Sequence, residues 1–255
     1  MILILTTLLL LISGLGLSYL INWLGDVLPL TVEDPPQKIA FQAVCLHCPT
    51  RRPWRDFLLL RPCQACGQHV SLRFWMVLIT FPIVFAAGCL YPPHLVQGWM
   101  MGVLIFYFYI VAVIDITHRI VLRSLTLVGW LITLGVGYFA HGLPLTLLGG
   151  ATILVLMLLL FYAGVIFSKI MEKQRGEPVD EALGFGDVYI SIMAGFLIAF
   201  PDAFSALILA ILFGGLTSLF FLVRMFVRKD YKPLTPIPYA PFIILAIFVL
   251  MYRQG

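Results

Sequence analysis

The sequence predicts an all-α polytopic membrane protein of about eight transmembrane helices, with a cytoplasmic zinc-knuckle loop between the first and the second. Three observations predict it. Of the 255 residues 62% are hydrophobic and 11% charged, against roughly 45–50% and 25% in soluble domains, so a water-soluble core does not account for the composition. The hydrophobic residues fall into eight separate runs rather than alternating with polar ones. The basic residues sit almost entirely in every second connection between those runs.

The first run, 1–24, carries no charged side chain and is long enough to cross a bilayer, which takes about 20 apolar residues. Neither a basic n-region nor a small-residue cleavage site marks it as a signal peptide. Residues 25–73 form the one substantial polar segment, with Pro35-Pro36, four cysteines and six basic residues. Residues 74–255 are expected to form a seven-helix membrane domain, with runs at 74–90, 98–114, 124–140, 145–167, 188–200, 203–223 and 239–252. Gly, Ser and Thr within several runs permit close helix contact in lipid. The run 188–200 is short, so its helix is expected to start at the Gly184-Phe185-Gly186-Asp187 turn, and the next directly after Pro201-Asp202. No long internal repeat is present.

Cytoplasmic loops retain Lys and Arg. With the N-terminus outside, the inside connections hold Lys38, Arg51, Arg52, Arg55, Arg61 and Arg73, then Arg119 and Arg123, then Lys169, Lys173 and Arg175, then Arg224, Arg228, Lys229 and Lys232. That is fifteen of the sixteen basic residues, Arg253 being the exception. Both termini are therefore expected outside. The net charge of +4 follows from these flanks, and membrane lipid rather than nucleic acid is the expected surrounding.

Two acids stand at membrane edges, where ionisable groups are costly and mark function by default. Asp115 closes the third span and Asp187 opens the sixth, both on the cytoplasmic side in this layout. A pair of aspartates held close shares one proton, because adjacent like charges do not both ionise cheaply. One carboxylate then activates water while its protonated neighbour polarises a carbonyl. Gly184 and Gly186 are expected to allow a sharp turn and close approach of a substrate strand. The bland reading makes Asp187 an N-cap. For Asp115 that reading is weaker, since a negative charge at a helix C-terminus opposes the helix dipole. His118 and Arg119 would compensate it if the helix continues.

Cys45-Leu46-His47-Cys48 and Cys63-Gln64-Ala65-Cys66-Gly67 are fourteen residues apart, a two-knuckle spacing for tetrahedral structural zinc held by Cys45, Cys48, Cys63 and Cys66. Reduced thiols or a redox motif are the alternatives. His47 and His69 are spare imidazoles, and Cys89 reads as core.

Together these residues resemble the type IV prepilin peptidases, membrane aspartyl enzymes that also serve type II secretion. Gly184-Phe185-Gly186-Asp187 matches the family's GxGD motif, and Asp115 its first catalytic aspartate in a D-I-x-H context. Asn22 with Leu28-Pro29, Val70-Ser71-Leu72-Arg73-Phe74 and Pro236-Ile237-Pro238-Tyr239-Ala240-Pro241-Phe242 are similar to three further family segments. The resemblance implies cleavage of a short basic leader after a glycine, at the cytoplasmic face of a bacterial inner membrane, just before the hydrophobic helix of a prepilin or pseudopilin. Many members then methylate the new N-terminus with S-adenosylmethionine. The cysteine loop is the part associated with that second step.

The sequence departs from the family at Ser18, Val27 and Leu78, and in the short spacing between its cysteine pairs, all in the N-terminal third. Leu122 and Tyr189 replace a proline and a lysine near the aspartates. Proteolysis is accordingly the better-supported activity, and a peptidase without methyl transfer stays open. A proton-coupled transporter using Asp115 and Asp187 is the reading from another class. It would be expected to hold its acids near the bilayer midplane on broken helices.

Overall fold

Inside a bilayer no water bonds the backbone N–H and C=O groups, so a spanning segment satisfies them internally as a helix. The apolar runs do this. The computed structural model describes residues 2–31, 43–45, 48, 51–52, 54–175, 184–228 and 239–254. In chain order these form α1 (Ile2–Val27), the antiparallel strands β1 (Ala43–Val44) and β2 (Arg51–Arg52), α2 (Trp54–Leu58), α3 (Leu72–Leu90), α4 (Gly98–His118), α5 (Arg123–His141), α6 (Leu143–Arg175), α7 (Phe185–Ile198), α8 (Ala203–Arg228) and α9 (Ala240–Arg253).

Six helices, α1, α3, α4, α5, α6 and α8, are long and apolar enough to cross a membrane, while α7 and α9 are apolar but shorter. Each of the eight runs is thus one helix. The ends differ from those expected where polar residues extend a helix past its apolar stretch: α4 continues through His118 and α6 through Arg175. The chain divides into two compact units, Met1–Pro92 with Val96–Leu122, and Pro93–Leu95 with Arg123–Gly255.

In the first unit α1 packs on both α3 and α4. Most of α1 is exposed, as a lipid-facing helix should be, but its inward face carries Ser18 and Asn22, both 0% exposed, and Asp26, 8% exposed. These lie four residues apart, which stacks them on one helix face. Gly14 lets the backbones of α1 and α3 meet: a Cβ there would lie 2.9 Å from the Pro82 Cα. Cys89 packs from α3 toward α4, its sulfur 2.9 Å from where Gly102 would carry a Cβ.

In the second unit α7 is the central helix, packed against α5, α6, α8 and α9. Val188, Ile190 and Met193 are fully buried, and Ser191, Leu197 and Ile198 nearly so. That all-round burial explains a run with no polar face. α5 is tied to it by Trp130 Nε1, which donates to the Tyr189 carbonyl at 3.0 Å. Gln254 at the end of α9 donates to the Ile198 carbonyl at 3.1 Å and to Asp202 at 3.0 Å.

The closest crossing is that of α6 and α7. A Cβ on Gly195 would lie 2.5 Å from the Gly149 carbonyl oxygen and 2.8 Å from the Gly150 Cα, so the two helices touch through backbone. In lipid, where apolar side chains gain little by leaving their surroundings, such close packing is a main source of helix association. Gly195→Val must push the helices apart, and overpacking of this kind costs about 1–3 kcal/mol. A lowered midpoint of thermal unfolding in detergent is the expected result; an unchanged midpoint would show that the crossing contributes nothing.

Candidate active site and metal centre

Asp187 is not the N-cap of α7. Gly184 holds that position with φ −73° and ψ 140°, and Asp187 is the third helical residue, its N–H bonded to the Gly184 carbonyl at 3.0 Å. Its carboxylate lies back over Gly184: a Cβ there would sit 3.5 Å from Oδ2. A negative charge in the first turn is stabilised by the free N–H groups and the helix dipole. The φ of Gly184 is one any residue adopts, so the glycine contributes its missing side chain rather than a special backbone angle. Gly184 is exposed and Gly186 and Asp187 half-buried.

Depth follows from length. The 14 residues of α7 rise about 21 Å, short of a hydrocarbon core of about 30 Å. Its far end is level with the start of α6, where the Phe200 N–H bonds the Leu145 carbonyl at 3.2 Å. Its Asp187 end is level with Phe161, whose ring meets that of Phe185 at 5.2 Å. The apolar stretch of α6 continues to Ile170, about 14 Å farther along the helix. At this end α6 therefore extends past Asp187, which is recessed beside the longer helix. Tyr189, where the family pattern has lysine, stacks edge-on against Phe185 at 5.0 Å and Trp130 at 5.6 Å.

Asp115 belongs to the first unit and is 5% exposed. The helix runs one turn past it and ends at Arg119, whose left-handed backbone (φ 55°, ψ 38°) lets its N–H bond the Asp115 carbonyl at 2.9 Å. His118 is thus on the helix, three residues after Asp115, while Arg119 leaves it. The residue that composition did not single out is Asp26, which forms an ion pair with Arg73 across α1 and α3. The signal was present in the sequence as Ser18, Asn22 and Asp26 at intervals of four in a helix otherwise short of polar groups.

The four cysteines do come together. Cys45 and Cys48 stand at the tip of the hairpin in which Ala43 pairs with Arg52 and Val44 with Arg51. In the second knuckle the Gly67 N–H bonds the Cys63 carbonyl at 2.8 Å, Gly67 itself having φ +67°, and the Cys63 N–H bonds the Gln68 carbonyl at 3.0 Å. All four sulfurs lie within 4.8 Å of one another, with Cys45 to Cys66 at 3.7 Å and Cys48 to Cys63 at 3.6 Å. Zn–S bonds of about 2.3 Å in a tetrahedron place sulfurs about 3.8 Å apart. The donor set therefore fits zinc. Backbone amides of Cys66 and Ala65 hold the Cys63 thiol down to about 6.

The loop also shares a core with the membrane helices. Phe57 of α2 and Phe74 of α3 are 3% exposed and pack with Tyr19 and Trp23 of α1, and Gln64 Nε2 donates to the buried Asp56 at 2.7 Å. Among the other residues singled out, His47 and Pro236 to Pro238 lie outside the described residues.

Compared with protein families, residues 102–219 match the model of the type IV leader peptidase family. Over those residues the chain is similar to that family. By helix length and composition it is a multi-pass membrane protein, and Asp115, Gly184, Gly186 and Asp187 all fall inside the matched stretch, whereas the four cysteines and the buried stripe of α1 fall outside it. Searches of curated proteins and of solved structures each returned no match.

Proposed function

We propose that the protein is an aspartic peptidase that cleaves the basic leader of type IV prepilins or pseudopilins after a glycine, using Asp115 and Asp187 as its dyad. The observation that supports this most is the family match across both acids, joined to the recessed position of Asp187. One carboxylate takes a proton from water as the water oxygen adds to the scissile carbonyl carbon. The other, protonated, gives its proton to the carbonyl oxygen. Collapse of the tetrahedral species breaks the C–N bond, and the leaving amine takes up a proton. The pair alternates roles and titrates as a unit.

The cytoplasmic side is the expected site of cleavage, because the loops flanking both aspartates are among the alternate connections that together hold fifteen of the sixteen basic residues. A leader cleaved there stays on the side where it was made, and the helix following it stays in lipid. Residues 25–73 are read as the zinc-bearing loop and 74–255 as the membrane peptidase. Zinc would supply a structural crosslink through its four thiolates.

Methyl transfer from S-adenosylmethionine is the second reading of the N-terminal third, carried by the cysteine cluster alone. Purified protein in detergent, given a prepilin with and without S-adenosylmethionine, distinguishes the two by mass spectrometry of the product's N-terminus. Cleavage after the leader glycine is expected in both samples. A product heavier by one CH2 only with the donor would establish the second activity; no cleavage in either would overturn the first.

A further inference from the structure

The buried Asp26–Arg73 pair reaches α4 at the turn that carries Asp115. The Arg73 side chain is 13% exposed and that of Asp26 8%. One terminal guanidinium nitrogen, Nη2, bonds Asp26 Oδ1, while the other, Nη1, donates to Thr117 Oγ1 at 3.4 Å. The Thr117 hydroxyl in turn donates to the Val113 carbonyl at 2.7 Å. The relay thus reaches the last turn of α4 at Thr117, two residues after Asp115, and the Thr117 hydroxyl is itself tied back one turn to Val113. α1 presses on the same place: a Cβ on Gly25 would lie 2.9 Å from Val113 Cγ1 and 4.0 Å from Arg73 Nη1.

Physical need matches the arrangement. The last turn of a helix has carbonyls without partners and frays, and a carboxylate placed there opposes the dipole. Asp115 is therefore on the least rigid part of α4, yet a catalytic carboxylate has to be held in register with its substrate. A planar guanidinium suits the task because its forked donors hold two acceptors in fixed geometry, which an ammonium on a flexible stem does not. Asp26 keeps the fork aimed.

We propose that Arg73 is a positioning residue for leader cleavage, acting through Thr117 to fix the turn of α4 that bears Asp115. The N-terminal third then serves proteolysis as well as whatever the cysteine loop does. This deepens the dyad reading and rests on it.

The test is Thr117→Val, which keeps the side chain's shape and removes the hydroxyl that joins Arg73 to α4. The expected result is a kcat for leader cleavage reduced about tenfold to a hundredfold, the scale of an ångström's misplacement, with KM within about twofold and an unchanged unfolding midpoint. Thr117→Ser should keep the wild-type rate, and Arg73→Lys should keep only part of it. Wild-type kcat in Thr117→Val, or the same loss in Thr117→Ser, would overturn the inference. Asp115→Asn and Asp187→Asn are assayed beside it: cleavage surviving in either sinks the dyad reading itself, and is told apart from failure of the Arg73 relay by those variants alone.

Discussion

Asp187→Asn is expected to reduce leader cleavage by about 10²–10⁴-fold while the protein stays folded, because general acid–base catalysis contributes on that scale. Asparagine matches aspartate in size. It gives up only a charge at the third position of α7, where interaction with the dipole contributes about 0.3–1 kcal/mol, so helix content and the unfolding midpoint should barely move. Asp115→Asn should show the same loss. If the two act as one unit, Asp115→Asn combined with Asp187→Asn should be no slower than either alone, since groups that share one step are strongly non-additive. The measurement is single-turnover cleavage of a prepilin followed by mass spectrometry. Retention of more than a tenth of the wild-type rate in either single variant would remove that residue from the mechanism.

The second large effect concerns the cysteine cluster. Wild-type protein purified without chelator should carry one zinc, and Cys63→Ser or treatment with a strong chelator should remove it. Structural zinc contributes about 10–16 kcal/mol in small zinc peptides, so its loss should expose the hairpin and the second knuckle. The Phe57–Phe74–Tyr19 cluster gives the loop a second attachment to α1 and α3. Hydrogen exchange should accordingly rise sharply at residues 63–68 and less at α2. Absence of zinc from protein whose four thiols are reduced would remove the metal assignment; equal exchange with and without metal would show that zinc does not hold the loop.

Much of this was legible in the chain because the signals are local. Eight apolar runs became eight helices, since hydropathy and length alone decide whether a segment can live in lipid. The two Cys-x-x-Cys pairs came together in a tetrahedron-sized cluster because two-residue spacers suit a knuckle and Gly67 supplies its left-handed turn. The backbone angle of Gly184 is one any residue adopts, so what the glycine contributes there is its missing side chain.

What stayed hidden needed a partner from elsewhere in the chain. Asp26 reads as a residue at the edge of a loop until Arg73, 47 positions away, is placed against it. The recess of Asp187 depends on α6 being far longer than α7, and on which end of α7 is level with the start of α6.

By itself the sequence determined that this is a multi-pass helical membrane protein with carboxylates at helix ends, a four-thiolate knuckle and the motifs of a leader peptidase, because these depend on composition and short spacings. Only the tertiary structure decided that α7 is the buried central helix of its unit, that Gly149 and Gly195 bring α6 against it, and that Arg73 braces the turn bearing Asp115. Those facts arise where distant segments compete for one buried space, and in lipid that competition is settled by close packing and by the cost of an unpaired polar group rather than by hydrophobicity.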